Sequence, residues 1–213
     1  MARRGGVWAG AVNNRLSATD RRSATDWFFA PAPFYAFDVI VIDCPWEYVT
    51  YSAKGLKKSP QAHYRCMTIE DIAGLPVRQL ARPDCALFMW GTWPMLNRQM
   101  RILEGWGFVY KTGFPWIKRT VRGKRAFGPG HLVRECSEPI FVGAIGRAGL
   151  DGRRERGLLE TIVDGAMGAH SVKPVEFYDK VERLVPGARK IDVFARAPRS
   201  GWTVWGDEVS EVR

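Results

Sequence analysis

The sequence predicts an α/β fold in which a mostly parallel sheet carries helices on both faces. Apolar, β-branched runs of strand length alternate along the chain with amphipathic stretches of helical period, which is typical of such sheets. The chain has 213 residues, 46% of them hydrophobic, enough for one well-buried core and too few for two ordinary domains. We therefore expect a single domain over residues 31–213.

The first 30 residues differ from the rest in composition. They are polar and basic, with five Arg against two Asp and no sustained apolar period. We predict a basic, mobile N-terminal arm over residues 1–30, and Trp8 and Trp27 indicate that part of it packs against other residues. Pro31-Ala32-Pro33 then marks the start of the domain.

The elements of the domain follow from local patterns. Extended chain is predicted where β-branched and aromatic residues are bounded by turn residues, over 38–43, 85–90, 108–118, 139–142 and 189–194. Thr68 is predicted to cap the start of a short helix. A second helix is predicted to end at Gly105, because Leu96, Met100 and Leu103 recur at the helical period. A last helix is predicted between Pro174 and Pro186. Residues 48–65 have no clear period and predict a long loop.

Asp43-Cys44-Pro45-Trp46 follows the first strand directly. Pro45 has no N–H to continue a ladder, so the strand ends in a turn with Asp43 at its carboxyl end. Ligands of open α/β sheets bind at this edge. A carboxylate and a backbone carbonyl can each accept one hydrogen of an amino group on a planar base, and Trp46 can stack on the ring. On these four residues alone, a strand end with a solvated acid stays open as an alternative.

The net charge of +10 is concentrated in segments predicted as loops. Residues 118–134 contain six basic residues and no acid, namely Lys118, Arg119, Arg122, Lys124, Arg125 and Arg134. Two further groups are Lys54, Lys57 and Lys58, and Arg147, Arg153, Arg154 and Arg156. A solvated face is the ordinary interpretation of such runs, but their position around the predicted turn favours contacts with nucleic-acid phosphates.

Several classes of protein are disfavoured by the sequence. No run approaches the roughly 18 apolar residues of a membrane span, so we expect a cytoplasmic protein without membrane contact. The four cysteines lack paired spacing and are predicted to be free thiols, and the three histidines lack ligand spacing, so no metal is expected. Neither a Walker motif nor a Gly-x-Gly-x-x-Gly fingerprint is present.

The turn at residues 43–46 is similar to the Asp-Pro-Pro-Trp signature of the MT-A70 family of adenine-N6 methyltransferases. Further matches follow in the order of that family, at Trp90, Trp106–Phe108, Trp116–Lys118, Gly130–His131, Glu138, Phe141–Gly143, Ser171–Pro174, Arg189–Arg196, Gly201–Trp202 and Gly206–Glu208. The resemblance covers residues 37–209. It implies a Rossmann-like, S-adenosylmethionine-dependent methyltransferase fold and transfer of a methyl group to the 6-amino group of adenine.

The resemblance also implies roles for individual residues. Asp43, Cys44, Pro45 and Trp46 form the catalytic turn, with Asp43 and the Cys44 carbonyl accepting the amino hydrogens. Lys173, beside Ser171, corresponds to the lysine that contacts the methionine end of the cofactor. Asp192, Phe194, Arg196, Asp207 and Glu208 correspond to residues that bind its adenosine and ribose. Glu138 corresponds to a glutamate that holds the target adenosine, and Lys118, Lys124, Arg125 and Arg134 are expected to contact nucleic acid.

The sequence departs from the family pattern at two places. Cys44 replaces a proline, which keeps the carbonyl but adds an N–H that needs a partner. Asp207-Glu208 replaces a pair that more often begins with Asn. A plain alternative for Glu138 is a strand-start acid paired with Arg134.

Three choices are left open by the sequence. DNA is favoured as the substrate because the compact chain resembles the short bacterial members of the family, with RNA as the alternative. A non-catalytic subunit that binds nucleic acid is a second alternative. The sequence is equally compatible with a monomer, a homodimer and a heterodimer.

Overall fold

The computed structural model describes residues 27–47, 66–128, 130, 132–148, 159–168, 172–207 and 209. Most of the predicted N-terminal arm, the predicted loop at 48–65, Ser171 and Glu208 lie outside these described residues. In the described part of the chain, no helix is both long and apolar enough to cross a membrane.

Seven strands of the described chain form one sheet in the order β5-β3-β4-β2-β1-β6-β7. They are β1 (Phe37–Ile42), β2 (Ala81–Trp90), β3 (Val109–Arg119), β4 (Ser137–Ile145), β5 (Val163–Ala166), β6 (Lys190–Val193) and β7 (Trp202–Trp205). Four neighbouring pairs are parallel, and both antiparallel pairs involve β4. The prediction of a mostly parallel sheet is therefore confirmed, with β4 alone among these strands running the other way.

Among the described residues, three α-helices cover the sheet, α1 (Ile69–Ala73), α2 (Leu96–Gly105) and α3 (Val175–Leu184). The predicted cap of α1 is confirmed, because the Thr68 hydroxyl accepts a hydrogen bond of 3.1 Å from the Asp71 amide. The predicted end of α2 at Gly105 is confirmed as well.

The central strand β1 shows why the fold has two cores. Its residues 39–42 are fully buried, as a strand covered on both faces requires. Ile40 and Ile42 belong to an apolar cluster with α1 and α2, whereas Val39 and Val41 belong to a second cluster with α3. Helices thus lie on both faces of the sheet, as predicted.

The sequence analysis missed two short strands. Neither β5 nor β7 was predicted, because each has only four residues and β5 contains Asp164 and Gly165. Both strands are held by their parallel neighbours, β3 for β5 and β6 for β7. Tertiary pairing rather than local preference places them in the sheet.

Candidate active site

One edge of the sheet collects the candidate functional residues. Asp43 follows the carboxyl end of β1, Trp90 ends β2, and Lys118 lies near the end of β3. Because β4 is antiparallel to these strands, its amino-terminal residue Glu138 lies at the same edge, opposite Trp116 in the register. Lys173 precedes α3 at this edge. Asp43, Glu138 and Lys173, far apart in sequence, are therefore brought together by the topology.

Four charged side chains form a continuous chain of ion pairs. The Lys173 Nζ lies 3.1 Å from Asp43 Oδ2 and 3.1 Å from Glu138 Oε2. The other carboxylate oxygen of Glu138 lies 2.6 Å from the Lys118 Nζ. Lys173 is the most enclosed of the four, with 11% of its side chain exposed. The Lys173 ammonium is thus paired with two carboxylates and the Lys118 ammonium with one, which is the arrangement that buried charges require.

The ionisation of these groups follows from burial and from their neighbours. Burial lowers the pKa of Lys173, but the Asp43 and Glu138 carboxylates outweigh it and hold that pKa above its ordinary value. Burial raises the pKa of Glu138, but Lys173 and Lys118 outweigh it and hold the pKa below its ordinary value. At Asp43 burial prevails over the attraction of Lys173, so the pKa is raised.

The Trp90 ring lies against the ammonium of Lys173. The Lys173 Nζ lies 4.6 Å from the centre of the Trp90 ring, within the range of a cation–π interaction. The ring makes edge contacts with Phe177 at 4.8 Å and Trp116 at 5.9 Å between centroids. The lysine is therefore positioned by an aromatic base as well as by two carboxylates.

The turn at residues 43–46 is tied to its surroundings by backbone bonds. The Asp43 amide donates to the Val193 carbonyl of β6, and the Met67 amide donates to the Pro45 carbonyl at 2.8 Å. The Cys44 carbonyl accepts the Trp46 amide at 2.8 Å, which leaves it one lone pair for a ligand. The backbone acceptor that the sequence analysis expected is thus held in a fixed turn.

Trp46 requires a correction. The sequence analysis expected its ring to be available for stacking on a planar base, but the structure does not display the ring. Its side chain is 5% exposed, belongs to the cluster with α1 and α2, and donates its indole N–H to the Trp90 carbonyl at 3.3 Å. Apolar burial and this hydrogen bond retain the indole in the core, so its role here is to join the turn to the end of β2.

Cys44 is a buried residue of the same turn, with 3% of its surface exposed. Burial and the neighbouring Asp43 carboxylate raise the pKa of its thiol well above the ordinary value. The thiol is therefore neutral at physiological pH and serves as a small apolar side chain.

Asp192 lies in β6, next to Val41 of β1. Its carboxylate is enclosed, with 5% of the residue exposed, and accepts a hydrogen bond of 2.8 Å from the Tyr178 hydroxyl. The Arg199 guanidinium carbon lies 3.3 Å from the centre of the Tyr178 ring. Sequence reasoning missed Tyr178 and Arg199; the placement of Tyr178 beside Phe177 on the buried face of α3 was the available signal. The ribose-binding role of Asp192 stays a prediction.

Asp192 gives the fold a specific pH dependence. Burial raises its pKa to about 7, although the Tyr178 hydroxyl bond acts in the opposite direction. The folded state therefore keeps a proton that the unfolded chain loses near pH 4, so this group's stabilisation is lost as pH rises to about 7. We expect the stability of wild type relative to Asp192→Asn to fall by about 2 kcal/mol between pH 5 and 8.

Urea unfolding of both proteins across this pH range measures the effect. Tyr178→Phe is the matched variant: loss of the hydroxyl that lowers the Asp192 pKa should move the transition to higher pH. Parallel curves for wild type and Asp192→Asn would contradict this assignment.

Other residues predicted to bind the cofactor lie near the end of β6. Phe194 has a positive φ of 63°, packs on Trp205 and is 8% exposed. A bulky residue in this conformation is strained, and such strain is concentrated at functional sites. Arg196 is half-buried and its charge partly opposes the rise in the pKa of Asp43 that burial causes, whereas Asp207 is exposed. Their roles in cofactor binding stay predictions.

The predicted nucleic-acid residues divide into two groups. Lys118 is partly buried and paired with Glu138, whereas Lys124, Arg125 and Arg134 are exposed on the chain between β3 and β4. The alternative pairing of Glu138 with Arg134 is wrong. The described contacts of Arg134 are with Phe127, over its ring and to its carbonyl. The Glu138 carboxylate is paired with Lys118 and Lys173 instead.

Comparison with known proteins adds an independent finding. Residues 37–208 match the model of the MT-A70 family. The Type II methyltransferase M.MunI of a Mycoplasma species is 28% identical over 93% of this chain and 89% of its own length. Human N(6)-adenine-specific methyltransferase METTL4 is 28% identical over 81% of this chain and 37% of its own length. The N6-methyladenosine RNA methyltransferase MTA1 of Cryphonectria parasitica is 28% identical over 88% and 55%, respectively.

The matched region has a clear structural extent. Residues 37–208 begin with β1 and include all seven described strands and the three helices, and therefore every residue of the ion-pair chain. The chain spans most of M.MunI but only about a third to a half of the longer METTL4 and MTA1 relatives. On this match the chain belongs to the MT-A70 family.

Proposed function

We propose that this chain transfers a methyl group from S-adenosylmethionine to the 6-amino group of adenine in DNA. The observation that carries the proposal is the meeting of Asp43, Lys173 and Glu138 at the carboxyl edge of the sheet, with 3.1 Å from Lys173 Nζ to each carboxylate. Membership of the MT-A70 family supports the same chemistry. Positioning and charge at this edge are what the residues contribute.

Two acceptors at the turn suit the amino group of adenine. Asp43 Oδ2 is engaged by Lys173, which leaves the other carboxylate oxygen for one amino hydrogen. The Cys44 carbonyl keeps one lone pair for the second hydrogen. Bonds to both hydrogens orient the nitrogen lone pair away from the turn. As the amine gains positive charge, the Asp43 carboxylate stabilises it and stands ready to accept its proton.

The edge has the chemistry that a cofactor of this kind requires. S-adenosylmethionine supplies the electrophilic methyl group when bound. The Lys173 ammonium suits the carboxylate of its methionine portion, and the Asp43 and Glu138 carboxylates suit cationic groups. Trp90 Nε1 and Thr92 Oγ1, at the end of β2, are buried without a hydrogen-bond partner among the described residues. Buried polar atoms of this kind indicate a place where a polar ligand completes the bonding.

DNA is proposed over RNA because of how much of each relative's own length the match covers. M.MunI is matched over 89% of its length, whereas the fungal relative named an RNA methyltransferase is matched over 55%. The basic chain between β3 and β4 suits the backbone of either polymer. The choice of polymer therefore requires a direct competition.

The test supplies labelled S-adenosylmethionine with DNA and RNA pools of the same randomised sequence, separately and mixed. We expect 6-methyldeoxyadenosine as the main labelled nucleoside, with at least about tenfold preference for DNA in the mixture. Label confined to RNA would overturn the choice of polymer. Label on the exocyclic nitrogen of cytosine would overturn the choice of base. Calorimetry with S-adenosylhomocysteine is the control, since a non-catalytic subunit would bind nucleic acid without binding the cofactor product.

A further inference from the structure

The chain between β3 and β4, residues 120–136, exposes aliphatic side chains to an unusual degree. We call this segment the β3–β4 loop; its residues 129 and 131 lie outside the described part. Leu132 is 92% exposed, Val121 88% and Val133 79%. These are the three most exposed large hydrophobic side chains of the described residues, and the next, Tyr35 and Val109, reach 59%. Single exposed aliphatics are ordinary, but this concentration in one loop is not.

Two backbone hydrogen bonds lie around these side chains in the described part of the loop. The Thr120 amide donates to the Lys124 carbonyl at 2.7 Å, which closes the turn that carries Val121. The Gly128 amide donates to the Glu135 carbonyl at 2.7 Å, and Leu132 and Val133 lie between these two residues in the sequence. Backbone hydrogen bonds therefore join the residues on either side of the exposed aliphatics.

Basic side chains are exposed on the same loop as the aliphatics. Arg122, Lys124, Arg125 and Arg134 are all exposed in the loop. The acid among its described residues, Glu135, has its pKa raised, chiefly by burial. A loop that exposes both apolar and cationic side chains is complementary to a polyanion with apolar layers inside, which describes a nucleic-acid duplex.

The loop is also joined directly to the candidate active site. It connects Lys118 of β3 to Glu138 of β4, and the Lys118 amide donates to the Cys136 carbonyl at 2.9 Å. Asp43, in contrast, is enclosed, with 23% of its side chain exposed. An adenine paired inside a duplex cannot reach such a carboxylate, so the base must leave the stack and its place must be filled.

We infer that Leu132 and Val133 form an apolar wedge that enters the base stack of duplex DNA beside the target adenine. The inference rests on the proposed function and names the form of substrate and the residues that open it. Aliphatic side chains in the vacated space offset part of the cost of unstacking, and the basic residues of the same loop hold the phosphates. The wedge is dispensable on a single strand, where the base is already free.

The first test compares duplex and single-stranded DNA of the same randomised sequence as substrates. For the variant Leu132→Ser/Val133→Ser, we expect the ratio of kcat/KM on duplex to kcat/KM on single strands to fall by at least about tenfold. Leu132→Ile/Val133→Ile should keep the wild-type ratio, because the side chains remain large and apolar. Val109→Ser is the matched control, since Val109 is exposed at the far end of β3.

A second test is independent of catalysis. A duplex carrying 2-aminopurine at several positions is titrated with each protein, and binding is followed by fluorescence anisotropy. We expect wild type to raise the 2-aminopurine emission by unstacking its neighbours, and the serine variant to bind without that rise. This readout separates the wedge from the proposed function, because it persists even where no methyl transfer is found.

Three results would overturn the wedge. One is an equal loss on both forms of DNA; another is a wild-type protein that neither methylates duplex nor raises the emission. The third is a wild-type dimer that the serine variant converts to a monomer by light scattering, since Leu132 and Val133 would then pack on a second copy of the chain.

Discussion

Asp43→Asn is expected to reduce kcat/KM for adenine methylation by about 10³-fold. The amide keeps the shape of the side chain and can still accept one amino hydrogen. It lacks the negative charge that favours the developing cation and cannot accept a proton at ordinary pH. Steady-state transfer of labelled methyl groups to DNA, with the cofactor at saturating concentration, measures the loss.

Two controls separate this loss from a structural defect. The Asp43→Asn protein should bind S-adenosylhomocysteine in calorimetry and should unfold cooperatively in urea. Asp38→Asn is a matched variant, because Asp38 is an aspartate near the other end of the same strand, paired with Arg82 at 3.2 Å. Wild-type activity in Asp43→Asn, or an equal loss in Asp38→Asn, would remove Asp43 from the mechanism.

Lys173→Met is the second change with a large expected effect. It leaves the carboxylates of Asp43 and Glu138 facing each other without their shared cation. We expect a loss of about 2 kcal/mol in the free energy of unfolding at pH 8, below the range for fully buried pairs because both carboxylates keep some solvent contact. We also expect S-adenosylhomocysteine binding to weaken by at least about tenfold, because its carboxylate loses a charged partner.

The stability that Lys173→Met loses relative to wild type should depend on pH in a specific direction. Without the lysine, burial is less opposed and the pKa values of Asp43 and Glu138 in the folded state rise. The folded variant then binds protons more readily than the unfolded chain, so its deficit in stability should shrink as pH falls from 8 to 5. A deficit that grows over this range would contradict the shared-cation arrangement.

Lys190→Met is the matched control for the loss of a buried lysine. The Lys190 ammonium is paired with Glu182 at 3.1 Å and lies 5.7 Å from the centre of the Trp202 ring, at the opposite edge of the sheet. We expect Lys190→Met to lower stability without a change in S-adenosylhomocysteine binding. Equal losses of binding in both variants would show that destabilisation alone explains the effect of Lys173→Met.

The sequence predicts the position of Asp43 well because strong local signals act there. Four β-branched residues followed by an acid and a proline specify a buried strand and its end, and β1 ends one residue before Asp43. The amphipathic stripe of α2 is equally local. Where such a signal is weak, as in the four-residue strands β5 and β7, pairing with a neighbouring strand decides the structure.

The contacts of the site are a different matter, because they join residues distant in the chain. Lys173 and Glu138 are 35 residues apart, and only the antiparallel direction of β4 brings Glu138 to the edge that holds Asp43. For Trp46, a local pattern in the sequence led to a wrong expectation. An indole after a catalytic turn suggests a stacking surface, yet its burial against α1 and α2 and its bond to the Trp90 carbonyl place it in the core.

Nucleoside mass spectrometry of DNA treated with wild type and with Asp43→Asn tests the central claim most directly. We predict that wild type and labelled S-adenosylmethionine give a labelled product that co-elutes with 6-methyldeoxyadenosine, and that this product is almost absent with Asp43→Asn. Label on another base, or an equal yield of labelled 6-methyldeoxyadenosine with the variant, would contradict the assignment of adenine-N6 methylation to this edge of the sheet.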